Sequence, residues 1–280
     1  MTNIKIVTDS TADLSVETVE ELSIHVVPLS IFIDGTTYLD RVDLTPQDFM
    51  EKMRSAKELP KSSQPAVGKF VELYDELGKD GSEVLSIHMT GNMSGTVEAA
   101  RSAAKMTTTK VTVVDSRFIS QALAYQVIAA AKLAKEGLPM EAILKEIDQI
   151  RENTKLYVVV DTLENLVKGG RIGKGRALIG SLLKIKPIAN LDNGEYTPIA
   201  KVRSHSQVVK YLAKQFVEDV KGKTIKKVGL SHADGLELAY KLRDCIKELT
   251  GYDLIDIAYT TPIISTHTGA GAIGFMYYTE

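Results

Sequence analysis

The 280-residue chain carries 34 Lys and Arg against 36 Asp and Glu, a net charge of −2, and so lacks the basic excess of a broad nucleic-acid surface. Its single cysteine, Cys245, excludes an internal disulfide, as is usual in a reducing compartment; no apolar run approaches the ~20 residues of a membrane helix, and no signal-peptide pattern opens the chain. With 44% hydrophobic residues, these features predict a soluble, cytoplasmic protein of two domains or one large one, whose core needs no disulfide or metal staple.

Ile4–Val7 reads as a buried strand running into the polar loop Thr8-Asp9-Ser10-Thr11, followed by a short helix over Val16–Leu22 and a strand over His25–Ile33. Thr45-Pro46-Gln47-Asp48 has the hydroxyl cap, first-turn proline and early acid of a helix start. Val67, Phe70, Val71, Tyr74 and Leu77 share one face of a helix over Pro65–Leu77. Strand and helix then alternate: Glu83–His88, Ser94–Ala104, Lys110–Val114 and Ser120–Lys135. This is the signature of parallel βαβ units, which place ligands at the C-terminal strand ends, here Thr8–Thr11, Thr90–Gly95 and Asp115–Arg117. After a helix over Pro139–Glu152, a strand at Tyr157–Val160 opens a different pattern. Strands at Ile185–Leu191 and Glu195–Val202 flank Asn193-Gly194, a hairpin-turn pair. Helices Ser206–Asp219 and Leu236–Leu249 then alternate with strands Lys226–Ser231 and Asp253–Ala258. The expectation is an α/β protein with a parallel α/β/α domain over 1–154 and a mixed-sheet α/β domain over 155–280, helices lying on one side of the second sheet.

Four motifs carry candidate chemistry. His88-Met89-Thr90-Gly91-Asn92-Met93-Ser94-Gly95-Thr96 joins a strand to a helix, so Ser94 can cap that helix or donate to an anion at its start. Lys61-Ser62-Ser63-Gln64-Pro65 also sets hydroxyls before a helix, where capping is the plainer reading. The run Lys168-Gly169-Gly170-Arg171-Ile172-Gly173-Lys174-Gly175-Arg176 reads as a flexible cationic loop, either solvated or contacting an anion or partner. Its spacing matches neither a Walker loop nor a dinucleotide fingerprint. Finally, His267 lies among hydroxyls and glycines in Ser265-Thr266-His267-Thr268-Gly269 and can donate to a carboxylate or titrate near neutrality. The five histidines are scattered and the only thiol is remote in sequence, so no metal or cofactor is expected. A hydrolase would use Ser94 as nucleophile, His267 as base and Asp9 or Asp115 as orienter, but the loop lacks the Gly-x-Ser-x-Gly spacing.

Thr8-Asp9-Ser10, Ser62-Ser63-Gln64-Pro65, Ser94-Gly95-Thr96, Asp115-Ser116, Gly169-Gly170-Arg171-Ile172, Ile185-Lys186-Pro187-Ile188, Lys201-Val202-Arg203 and His267-Thr268-Gly269 occur in an order that resembles the DegV family nearly end to end. The resemblance implies a long-chain fatty acid held between two α/β domains. It also implies an acyl-carrier subunit that presents the carboxylate to the catalytic subunit of a bacterial fatty acid kinase, touching membrane transiently for lipid exchange. Such a subunit is not itself an enzyme, and no Walker or other phosphate-cradling motif is found in this chain. By the same resemblance Ser62, Ser94, Gly95, His267 and Thr268 would bind the carboxylate, and Arg171, Lys201 and Arg203 would face the partner. Ser62 stands where the family often has threonine, and Thr90-Gly91-Asn92-Met93 is poorer in serine than the family loop.

Overall fold

The computed structural model describes residues 3–178 and 185–280. β1 (Ile4–Asp9) is buried everywhere but Lys5, as a central strand covered on both faces must be. Ser15 caps the short α1 (Val16–Glu21), and β2 (His25–Val27) returns parallel to β1. The single strand expected over His25–Ile33 is in fact two. Pro28 has no amide with which to continue the ladder, and β3 (Ser30–Ile33) departs into a separate antiparallel sheet. There it pairs with β4 (Thr36–Leu39) and β5 (Lys61–Ser63), in the order β4-β3-β5. Between them, α2 (Pro46–Ser55) starts on the reciprocal Thr45–Asp48 capping box that the sequence predicts.

α3 (Val67–Gly78) and α4 (Thr96–Ala104) cover one face of the parallel sheet, which β6 (Glu83–His88) and β7 (Val111–Asp115) complete in the order β2-β1-β6-β7. Phe70, Tyr74 and Leu77 meet Ala99, Ala100 and Ala103 there, over Val7 and Val84. The opposite face meets α5 (Ser120–Lys135), which is buried at every position from Ser120 to Val127. It shares a core with Ile6, Leu85 and Ile87 on one side and Leu156, Val158 and Met276 on the other. A helix covered on both sides keeps no polar stripe, and α5 accordingly joins the two large sheets. α6 (Met140–Asn153) lies beside it through Ile143, Ile147 and Ile150.

The second large sheet contains β8 (Thr154–Val159), β9 (Lys186–Asp192), β10 (Glu195–Val202), β11 (Ile225–Ala233), β12 (Ile255–Tyr259) and β13 (Ala272–Thr279). Their order is β10-β9-β8-β13-β11-β12, antiparallel except for the β11–β12 pair. α8 (His205–Asp219) and α9 (Leu236–Thr250) pack on its outer face with Tyr157, Val159 and Phe275. The helices α8 and α9 thus lie on one side of this sheet, and its inner face is covered by α5 and α6 from the first half of the chain. Two more helices had no assignment from sequence, α7 (Glu164–Lys168) and α10 (Pro262–Thr268), nor did the central strand β13. In α10 the hydroxyls of Thr266 and Thr268 donate to the carbonyls of Pro262 and Ile264, which lets these two residues of a polar-looking run be buried. The cationic loop likewise contains a short 3-10 helix, Gly173–Leu178, and its Ile172, Gly175 and Leu178 are buried. The Asn193-Gly194 tip has both residues at positive φ, 49° and 80°, as a tight hairpin requires. The whole is a two-domain α/β fold with one parallel and one mixed large sheet and a small antiparallel one.

Candidate functional site

Parallel pairing brings the ends of β1, β6 and β7 to one edge, and two carboxylates lace the loops there. Asp9 accepts the Met89 amide at 2.8 Å and pairs with His88 Nδ1 at 3.0 Å. Asp115 accepts the amides of Gly91 at 3.1 Å and Arg117 at 2.8 Å. Burial alone would raise Asp9, but the bonds from His88 and Thr11 outweigh it and hold the carboxyl below its usual range. From His88 the chain continues through Ser86 at 2.7 Å to the Tyr74 hydroxyl at 2.8 Å. Ser86, His88 and Asp9 are the residue types of a catalytic triad, yet all three are 0% exposed, so the chain stiffens the sheet.

Next to this edge, between the two large sheets, lies a narrow cavity of about 50 Å³. Leu29, Met89, Met93 and Ile119 line it from the first domain; Val158, Leu166, Leu191, Tyr196, Ile263 and Ile264 line it from the second. A second space of about 30 Å³ adjoins it at Ile119, Val158, Ile264 and Thr268, which border both. An apolar recess with few polar groups is the usual form of a lipid or small-molecule site.

The polar groups gather at one end. β5 delivers Ser62 and α10 delivers His267, and Ser62 Oγ lies 2.7 Å from His267 Nε2. These residues are 205 positions apart in sequence. Gly169, at the C-terminal end of α7, explains how the ring fits: a Cβ there would lie 2.2 Å from His267 Nδ1. Burial, aided by the nearby Arg171 charge, lowers the His267 pKa to about 4, so the ring is neutral at pH 7. Arg171 is itself half-buried, and among the described residues its guanidinium donates to two backbone carbonyls, Met93 at 2.9 Å and Gly169 at 2.6 Å. Ser94 lines the same end, 2.8 Å from the Thr96 hydroxyl and 3.3 Å from the Thr96 amide, so it helps to start α4 while facing the cavity. Gly95 is the N-terminal cap residue of α4, with the Gln64 side chain packed where its Cβ would be.

The structure thus brings Ser62, Ser94, Gly95, His267 and Thr268 together, although the Thr268 hydroxyl is already committed to Ile264. It does not assemble the hydrolase constellation. His267 pairs with Ser62 rather than Ser94, its Nδ1 has no hydrogen-bond partner among the described residues, and Asp9 and Asp115 are engaged in the loops. Arg171 lies at the cavity end rather than on an outlying surface, a placement that its glycine-rich neighbourhood in sequence did not reveal. Lys201 and Arg203 are exposed on β10 and the turn after it. Sequence reasoning missed Gln64, Met89, Met93 and Tyr196 as lining residues; only the strand alternation of β10, which turns Tyr196 inward, could have marked one of them. Among the described residues no group of three His, Cys, Asp or Glu side chains could hold a metal, and no helix is long and apolar enough to cross a membrane.

Residues 3–280 match the family model described as "Uncharacterised protein, DegV family". A DegV domain-containing protein of Staphylococcus aureus (strain MRSA252) is 45% identical over 276 residues, covering 99% of each chain. Among solved structures, a fatty-acid-binding DegV family protein from Thermus thermophilus superposes with a TM-score of 0.92 at 32% identity, over 99% of this chain and 100% of that one. DegV, a fatty acid binding protein from Bacillus subtilis, superposes at 0.90 with 34% identity, over 100% of both chains. In sequence over its length and in fold, this chain belongs to the DegV family.

Proposed function

We propose that the chain binds a long-chain fatty acid in the cavity and presents its carboxylate to a separate ATP-dependent kinase, which forms the acyl phosphate. One observation carries the reading: an apolar recess between the domains ends in a small polar cluster beside a guanidinium without a carboxylate partner among the described residues. Fatty-acid binding by the Thermus and Bacillus relatives supports it. Burying roughly 14 methylenes at ~0.8 kcal/mol each contributes about 11 kcal/mol gross, before ordering costs. The tunnel therefore supplies affinity, and the polar end supplies orientation. With His267 neutral, Arg171 balances the carboxylate charge, while Ser62, Ser94 and the Gly95 amide donate hydrogen bonds.

In the transfer, a carboxylate oxygen bonds to the terminal phosphorus of ATP and the bond from that phosphorus to the ADP oxygen breaks; no proton need move. ATP and its metal come with the kinase, so this chain is a substrate-presenting subunit rather than an enzyme. In this reading it works in the cytoplasm as two units, 1–154 and 155–280, and meets membrane transiently to exchange lipid. Native mass spectrometry of the purified protein, with extraction of copurifying lipid, is the test. A stoichiometric long-chain fatty acid is expected; a protein that is empty and also refuses added fatty acid refutes the reading.

A further inference from the structure

The polar end of the cavity has a second side. Ser62, Arg171 and His267 also border an open groove of about 750 Å³ running between the end of α2, β5 and α7. Its ionic lining is lopsided: Lys57, Lys61, Lys168 and Arg171 face two carboxylates, Glu58 and Glu164. Lys168 pairs with Glu164 at 2.7 Å and Lys61 with Glu58 at 3.9 Å, all four side chains being well exposed. Such exposed pairs are weak and rearrange cheaply when a more highly charged anion arrives. Lys57 has no carboxylate within ion-pair distance among the described residues. Lys61 and Lys168 line this groove together with Ser62, Arg171 and His267, the residues at the head of the site.

A bound carboxylate is a single negative charge, and Arg171 inside the cavity suffices to balance it. The lysines outside are surplus to that need. They lie where a substituent on the carboxyl oxygen would emerge, because the same three residues wall both spaces. Resting on the fatty-acid reading above, we propose that this groove is a head-group subsite for the phosphoryl dianion of an acyl phosphate, with Lys61 and Lys168 as its specificity-determining cations. The acyl chain stays in the cavity while the phosphoryl group occupies the groove, so the protein holds its product more tightly than its substrate.

The test uses the full chain and two probes, palmitate and the β-ketophosphonate isostere of palmitoyl phosphate, in which a methylene replaces the bridging oxygen. Wild-type protein is expected to bind the isostere tighter than palmitate, with a preference that shrinks as salt is raised from about 50 to about 500 mM. The double variant Lys61→Gln/Lys168→Gln is expected to weaken isostere binding by about tenfold and to leave palmitate within about twofold. Equal losses for both probes, or no loss for the isostere, overturn the subsite while leaving fatty-acid binding intact. Failure of the wild type to bind the isostere although it binds palmitate does the same. Failure to bind either probe overturns the fatty-acid reading along with this one.

Discussion

Gly169→Ala is a one-methyl test of how the head-group cluster is built. The Gly169 backbone is helical, φ −76° and ψ −13°, so alanine needs no unusual dihedrals, although its Cβ would lie 2.9 Å from the Asn165 carbonyl oxygen. Its Cβ, however, would lie 2.2 Å from His267 Nδ1, where an ordinary contact needs 3.4 Å or more. The ring must therefore retreat by roughly 1 Å, and the 2.7 Å contact between Nε2 and Ser62 cannot survive that displacement. Losing one hydrogen-bonded orientation at a charged head group costs about 1.5–3 kcal/mol, or about ten- to a hundredfold in fatty-acid affinity. Isothermal titration with palmitate would read this for Gly169→Ala, His267→Ala and the double variant. Once the ring is gone only the Asn165 carbonyl still crowds the methyl, so the double variant should bind palmitate nearly as His267→Ala alone does, a clear departure from additivity. Wild-type affinity in Gly169→Ala, or simple addition of the two losses, would refute the argument that this glycine exists to seat the histidine.

Ser94→Ala should weaken palmitate binding by about 1–3 kcal/mol in the same titration, and an unchanged affinity would reduce Ser94 to a helix cap. Asp40 is 1% exposed, and burial, reinforced by the nearby Asp13 carboxyl, raises its pKa to about 7 against the opposing pull of Ser10, the Ile263 amide and Arg41. A raised carboxyl favours the folded state fully below pH 3.8 and loses that contribution as pH rises through about 7. Asp40→Asn should consequently gain on wild type by about 3 kcal/mol between about pH 5 and pH 8 in urea unfolding, and parallel curves for the two proteins would contradict this. Arg203→Glu should leave palmitate binding unchanged and slow acyl-phosphate formation in a coupled assay with the kinase, whereas equal turnover would move the docking surface elsewhere.

Much of the architecture is written in local pattern. Asn193-Gly194 specifies its hairpin because few other pairs tolerate two positive φ angles, and Thr45-Pro46-Gln47-Asp48 specifies the start of α2 because each residue satisfies one local need. The motif order also carries the family, and with it the hydroxyls and the histidine of the candidate site. Local pattern failed where long-range packing decided. The His25–Ile33 run is apolar throughout apart from His25 and Ser30, so nothing in its hydrophobicity shows that β2 and β3 serve different sheets. The hydroxyl-rich stretch around Thr266 reads as a loop until its side chains are seen bonding within α10.

The sequence by itself determined the α/β class, most elements and the residues to inspect, since periodicity, caps and turns are properties of neighbours along the chain. The tertiary structure alone decided that His267 pairs with Ser62 and not Ser94, that Arg171 belongs to the cavity end, and that the lysines beside them border a second, open groove. Those outcomes depend on where β5, α7 and α10 converge. That convergence is set by the packing of both sheets against α5, a contact that no local pattern encodes.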